Sequence, residues 1–337
     1  MKARALSLLK YLFFLGIGGL FLYFVFRDQD IDKMIDDLRN AKYEYLIFSM
    51  IFGYAAYVFR GLRWLLLLKT MNYKTSANIA TQAVASGYLA NALFPRAGEI
   101  VRCTSLYKVT GIPVNKLFGT ILLERVVDLA LLVFCITLSF VLKFSELSSF
   151  FASLSNEAEP GQNSLIPFIV FAVLFMFGGV LYLYRDRLKN SKIYLKALAL
   201  WEGVKEGFKT AFFMKEKSLF ILYSFLIWLM YLLMTYICFF SVPETSDLTL
   251  VDGLYIMVIG GLGMIVPVQG GLGPYHAAVT LGVVSIGLTE SAGITLAVLI
   301  HTAQSIMIII TGIIAAIVLS FAKRKAGHHE ASEAPSV

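Results

Sequence analysis

Gly87-Tyr-Leu-Ala-Asn-Ala-Leu-Phe-Pro95-Arg96-Ala-Gly98-Glu99-Ile-Val-Arg102 is an apolar run interrupted at its middle by Pro, Gly and charge. A second run of this kind lies at the matching place in the other half of the chain: Gly260-Gly-Leu-Gly-Met-Ile-Val-Pro267-Val-Gln269-Gly-Gly271-Leu-Gly273-Pro274-Tyr275-His276. An interruption inside an apolar helix frees backbone polar groups that lipid cannot satisfy, so it has to line a protein-walled cavity. Paired interruptions in two halves point to a substrate site at the interface of an inverted repeat. The chain therefore reads as a carrier rather than a soluble enzyme.

Working outward from the breaks, hydrophobic residues make up 58% of the 337 and charged residues 15%, a balance outside the soluble range. Several runs near 20 apolar residues predict an integral all-α membrane protein. The first, Ser7–Phe26, is too long for the core of a signal peptide and has no small-x-small site before Arg27, so it reads as a retained anchor. Cys103, Cys135 and Cys238 lie in apolar runs without metal-ligand spacing and read as small buried hydrophobes. The formal charge of +7 is concentrated in short loops. There it reports orientation and not nucleic-acid binding.

Full spans are expected near Ser7–Phe26, Tyr45–Leu68, Leu117–Leu142, Leu165–Tyr184, Ser218–Ser241 and Ala292–Ser320, with broken segments over Ser76–Val109 and Gly253–Thr289. Segments 27–44, 143–164 and 242–252 are acidic on balance, at −2, −2 and −3. Segment 185–217 is basic at +5, and Lys323–Lys325 adds +3. If each broken segment enters and leaves on one side, every basic loop falls in the cytoplasm. The expectation is thus six transmembrane helices plus two opposed re-entrant hairpins in an inverted repeat, in the cell inner (plasma) membrane, with both termini cytoplasmic. Two segments, around Ile31–Tyr45 and Tyr194–Phe212, show helical apolar spacing. Each reads either as an interfacial helix on an anionic membrane surface or as a connector folded back on the bundle. The tail 326–337 is Ala/Ser/Glu/Pro-rich and expected to be disordered.

Charges inside apolar segments are costly and usually paired or functional. Arg60 and Arg63 sit late in the second span, Arg63 beside Trp64 where it could snorkel to headgroups. Arg96, Glu99 and Arg102 follow the first break at spacings of three. Glu124, Arg125 and Asp128 lie in the next span, with Glu124 and Asp128 on one face. At about 1.5 Å per residue, Glu124 lies ~10 Å and Asp128 ~17 Å deep, level with the break. The carboxylates read either as a structural clamp, with Arg125 in reach of Asp128, or as part of a substrate path. Arginines outside simple pairs would be free to hold phosphate bidentately. His276 and His301 lack the partners of a metal site, and no metal or other cofactor is expected. Pro95 and Pro274 each open a new half-helix. Their N-termini, with Gly98, Gly271 and Gly273 allowing close approach, would favour an anion. The candidate substrate-binding residues are therefore Arg60, Arg96, Gly98, Glu99, Arg102, Glu124, Arg125 and Asp128 around the first break. Gln269, Gly271, Gly273, Tyr275 and His276 join them from the second.

The R-x-x-R-W of residues 60–64, P-R-A-G-E-x-x-R of 95–102, E-R-x-x-D of 124–128 and G-G-x-G-x-x-H of 270–276 together resemble the flippase-like membrane domain of lysylphosphatidylglycerol synthases. The resemblance covers roughly residues 5–322 and assigns 1–325 to that domain. It implies movement of a phospholipid or polyprenyl-type lipid with an anionic headgroup between leaflets. Bifunctional members also carry a soluble aminoacyltransferase domain, and nothing after Lys325 is expected to form one.

The leading expectation is a non-enzymatic lipid flippase with a midplane phosphate site, its partner a phosphate-bearing lipid. No Walker A motif is present to power it. A second copy of the chain or an envelope-biosynthesis protein remains open as a further partner. The rival readings are a membrane-embedded glycosyl- or acyltransferase, with Glu99 or Asp128 as base, and a scaffold subunit of an envelope-synthesis complex. Moving labelled lipid across vesicles separates the three.

Overall fold

The computed structural model describes residues 31–150 and 214–332, apart from Pro95, Leu147, Ser149 and Pro267, together with scattered positions between 16 and 27. Its regular structure there is all helical. The α-helices are α1 (Ile31–Asn40), α2 (Tyr43–Thr70), α3 (Ala77–Leu93), α4 (Gly98–Thr110), α5 (Val114–Leu142), α6 (Lys217–Ile237), α7 (Leu250–Gly263), α8 (Pro274–Ser285) and α9 (Glu290–Ser332). Local chemistry sets several boundaries. Ser76 caps α3 through the Ile79 N–H at 3.3 Å. Gly111, at φ +71°, ends α4 in the left-handed conformation. Thr249 and Asp252 form a reciprocal capping box at the start of α7.

Four helices among the described residues are long and apolar enough to cross a membrane: Tyr43–Thr70, Val114–Leu142, Lys217–Ser241 and Glu290–Ala322. The expected six spans plus two re-entrant hairpins are corrected accordingly. The broken segments form separate helices of 17, 13, 14 and 12 residues, α3, α4, α7 and α8, each short of the roughly 20 residues a span needs. Each break ends one helix and starts another. Of the other expected spans, 7–26 is described only at scattered positions and 165–184 lies outside the described residues. The same holds for the amphipathic segment at 194–212. The other amphipathic segment folds back on the bundle: α1 packs against α9, and Leu38 joins the apolar cluster beneath it.

α2 is the organising helix. Its buried positions Ser49, Gly53, Ala56, Arg60, Arg63, Trp64 and Leu67 recur every three or four residues and form one stripe. That stripe packs against α6 and α3, while α9 packs against α3 and α8. Two apolar cores result. One, around Trp64, Leu106, Leu117 and Ile121, fills the space between α2, α3, α4 and α5. The other, around Tyr255, Ile259, Val279 and Ile300, joins α7, α8 and α9. The α3–α4 turn is tight because its helices meet at glycine: a Cβ on Gly87 would lie 2.9 Å from the Gly98 carbonyl oxygen.

Candidate functional site

Beside the first break, three helices converge on a buried ionic cluster. Arg60 and Arg63 stand one turn apart on the inner stripe of α2, and Glu124 and Asp128 stand one turn apart on α5. Arg102 comes from α4. Arg102 grips Glu124 with two bonds, Nη1 to Oε2 at 2.6 Å and Nη2 to Oε1 at 3.1 Å. Arg63 donates from Nη1 to Asp128 Oδ1 at 2.8 Å and to Ser224 Oγ on α6 at 3.1 Å, and its Nη2 lies 3.8 Å from Glu124. Arg60 pairs with the other Asp128 oxygen at 3.0 Å. The pairing is close and desolvated, so losing one partner strands the other without water.

Aromatic rings hold this cluster in place. The Arg102 guanidinium lies 3.9 Å from the Trp64 ring centre, and Trp64 Nε1 donates to Thr120 Oγ1 at 2.7 Å. Arg60 Nε donates to the Tyr231 hydroxyl at 2.8 Å; that hydroxyl lies 2.9 Å from the hydroxyl of Tyr88, whose ring stacks on Tyr57 at 4.2 Å. Three guanidiniums thus face two carboxylates. The fourth arginine does not alter this balance, because Arg125 bonds Glu99 Oε1 at 2.8 Å. Among the described residues the cluster therefore carries one positive charge in excess.

Next to the cluster is a pocket of about 160 Å³ lined by Arg60, Arg102, Arg125 and Glu99, with Tyr88, Asn91, Val84, Gly87 and Gly98 completing the wall. Arg102 Nε has no hydrogen-bond partner among the described residues. The Arg125 side chain is half exposed, so the pocket is reached past the Arg125–Glu99 pair.

The second break is built differently. Gly270, Gly271 and Gly273 have φ of +61°, +75° and +89°, conformations that a Cβ would penalise. The Gly271 and Leu272 N–H groups donate to Val268 and Gln269 carbonyls at 3.3 and 3.2 Å. His301 Nε2 lies 2.8 Å from the Gly270 carbonyl, which can only accept, so that nitrogen carries the proton. His276 Nδ1 accepts the Gly273 N–H at 3.4 Å, and the two imidazoles stand 4.8 Å apart. Both rings serve the backbone of the turn.

The sequence-based site is thus divided. Arg60, Gly98, Glu99, Arg102 and Arg125 line one pocket, with Glu124 and Asp128 behind them. Arg96 is exposed at φ +63°, outside the pocket. The Gly98 N–H is already taken by Asn91 Oδ1 at 2.7 Å, so the start of α4 is capped from within the protein. Arg125 bonds Glu99 and not Asp128, whose two oxygens are held by Arg60 and Arg63. Arg63 is fully buried and paired, not snorkelling. Gln269, Gly271, Gly273 and His276 do not reach the arginine pocket. Tyr275 lines a neighbouring cavity of about 210 Å³ that also touches Tyr88.

The lysylphosphatidylglycerol synthase TM region matches residues 8–312 of the chain. The chain belongs to this family. It is also 29% identical over 136 residues to a UPF0104 membrane protein of Methanocaldococcus jannaschii, a match spanning 40% of the chain and 38% of that protein. No solved structure matches it. The chain is therefore a polytopic membrane protein of the lysylphosphatidylglycerol synthase TM family, and both breaks and the whole ionic cluster lie inside the matched residues.

Trp64, Tyr88, Asn91, Tyr231 and Arg63 belong to the site or its surround but lie outside the sequence-based candidates. The signal for Arg63 was present, since Arg60 and Arg63 share a helical face with Trp64. Asn91 was also legible, as a polar residue in an apolar turn just before a helix start. Tyr231 lies more than 100 residues from its partners Arg60 and Tyr88, and nothing local distinguishes it from the other tyrosines of α6.

Proposed function

We propose that the arginine-lined pocket holds the anionic headgroup of a membrane lipid, and that the chain serves as the lipid-binding membrane module in the modification of that lipid. One observation carries the reading: three buried guanidiniums face two carboxylates beside a pocket that opens past Arg125. An uncompensated charge inside spanning helices is costly. A lipid phosphate would supply the missing negative charge, and Arg102 Nε is a donor not yet used. The family match favours a part in lipid modification over transport, because the region it names belongs to a synthase. In this reading the chain binds and presents the lipid, and the chemistry on the headgroup belongs to an aminoacyl- or other group-transfer activity.

Translocation between leaflets is the second reading. It is favoured by depth, since Asp128 is the central residue of the 29-residue α5, about 21 Å of helix from either end. In that version the headgroup pauses at a midplane phosphate site. An inner-membrane location with both termini cytoplasmic remains the orientation proposed from loop charge.

The test uses purified full-length protein in phosphatidylcholine vesicles carrying a trace of fluorescent phosphatidylglycerol. Saturable binding of the anionic lipid without a change in its leaflet supports presentation. Faster loss of protected fluorescence on adding a membrane-impermeant quencher supports translocation. Equal binding of fluorescent phosphatidylcholine overturns the headgroup site.

A further inference from the structure

Behind the arginine pocket lies a second cavity, of about 210 Å³, that the headgroup reading leaves unused. Its walls are of another kind: Met234, Met257, Met264 and Met307, with Trp228 and Tyr275 among the rings, and no charged side chain among the described residues. Methionine is the adaptable apolar side chain, suited to a surface that must repack around an irregular guest. Tyr88 lines both cavities, and its hydroxyl lies 2.9 Å from that of Tyr231, which lines the apolar cavity and accepts from Arg60 in the polar one. The tyrosine pair is thus the partition between a cationic chamber and an apolar one. Neither chamber alone reaches the roughly 300–1,000 Å³ of a small-ligand site, and joined they do. The apolar chamber opens at Gly261 and Met264, both exposed.

We propose that the methionine-lined cavity is the chain subsite for the same lipid, taking the first segment of an apolar chain whose phosphate sits among Arg60, Arg102 and Arg125. This rests on the headgroup reading and adds where the chain goes. The phosphate and the start of the chain lie on opposite sides of the Tyr88–Tyr231 pair, and the rest of the chain leaves toward lipid past Gly261. The occupant is an anionic lipid and not a soluble phosphate ester, because a ligand without a chain would leave the second chamber empty.

Gly261 supplies a clean test. It lies inside α7, and a Cβ built there meets no atom within 4 Å. Gly261→Leu therefore narrows the chamber without disturbing packing, and Gly261→Ala serves as a control that adds one carbon. Full-length protein in phosphatidylcholine nanodiscs is photolysed with phosphatidylglycerol carrying a diazirine in one acyl chain, and the adducts are mapped. Binding of glycerol phosphate is measured by calorimetry on the same preparations. The expected result is adducts on Met257, Met307 or Trp228 in the wild type and in Gly261→Ala. In Gly261→Leu they fall to background, with melting temperature and glycerol phosphate binding unchanged. Adducts confined to outward residues such as Ile313 and Phe321, or undiminished cavity adducts in Gly261→Leu, overturn the chain subsite. If glycerol phosphate still binds, the headgroup reading survives that loss. Absence of glycerol phosphate binding in the wild type, with cavity adducts formed equally by a phosphatidylcholine probe, overturns the headgroup reading and the anionic identity of the occupant together.

Discussion

At the first break, between α3 and α4, the protein buries charge; at the second, between α7 and α8, it buries glycine backbone and imidazole. Both interruptions solve the same problem, the orphaned polar groups of an ended helix. At the first, Asn91 caps Gly98, and the space behind the cap is walled by arginines. At the second, three left-handed glycines let the chain turn sharply, and His301 and His276 satisfy Gly270 and Gly273. Asp252 and Glu290 are the acidic residues of α7, α8 and the start of α9, and both lie at helix starts, away from the turn. Two breaks that look equivalent as strings of letters therefore differ in what they offer a ligand. One side offers electrostatics, the other shape and an apolar wall.

Asp128 is the most sensitive position of the charged break. Asp128→Asn leaves Arg60 and Arg63 without their shared carboxylate, and loss of one member of a buried pair costs about 3–5 kcal/mol. A large fall in detergent melting temperature is expected, partly restored by adding Arg60→Gln. A stable single variant would show that the cluster is hydrated and not a desolvated clamp. On the other side, His301→Ala strands the Gly270 carbonyl, at a cost of about 1–3 kcal/mol. It should lower the melting temperature less than Asp128→Asn does and leave affinity for phosphatidylglycerol unchanged. A matching loss of affinity would mean the second break belongs to the headgroup site after all.

Arg125→Gln sharpens the contrast, because it separates binding from folding. The Arg125–Glu99 pair is partly exposed, so its loss should change stability by less than about 1 kcal/mol. Lipid affinity should nonetheless drop, since a cation leaves the pocket. The smallest effect concerns the link between the two regions, where Lys143 at the end of α5 bonds Glu146 at 2.9 Å and Asp252 of α7 at 2.7 Å. Burial pushes the Glu146 carboxyl up, but hydrogen bonds from Ser145 and Lys143 outweigh it and hold the group below its ordinary value. Its contribution is complete above the ordinary glutamate pKa of about 4.3 and is lost as pH falls through the lowered value. Melting curves from pH 7 to pH 3 should lose a small acid-side component in Glu146→Gln, and identical curves would remove Glu146 from the link.

What the sequence made legible was chemistry with a local period. The i, i+4 spacing of Glu124 and Asp128 placed both on one face, and the structure puts both against arginines. The Pro-Arg-Ala-Gly-Glu-x-x-Arg interruption contributes Gly98, Glu99 and Arg102 to the pocket wall. Less legible was anything set by where helices cross. Arg63 looked terminal along α2, but α5 and α6 cover that end of the helix and turn a snorkelling position into the most enclosed charge of the cluster. Arg96 read as a headgroup ligand together with Arg102, but at φ +63° in the turn it lies exposed, outside the pocket. The span count differs for another reason: the described residues hold four long apolar helices, while 7–26 is described only at scattered positions and 165–184 lies outside the described residues.

In the reading proposed above, excess buried positive charge selects an anionic lipid at the first break. Native mass spectrometry of full-length protein released from nanodiscs of equal phosphatidylglycerol and phosphatidylcholine tests it most directly. The expected result is retained phosphatidylglycerol on the wild type, sharply reduced on Arg125→Gln and unchanged on His301→Ala. Equal retention of the two lipids on the wild type, or equal loss in both variants, would contradict it.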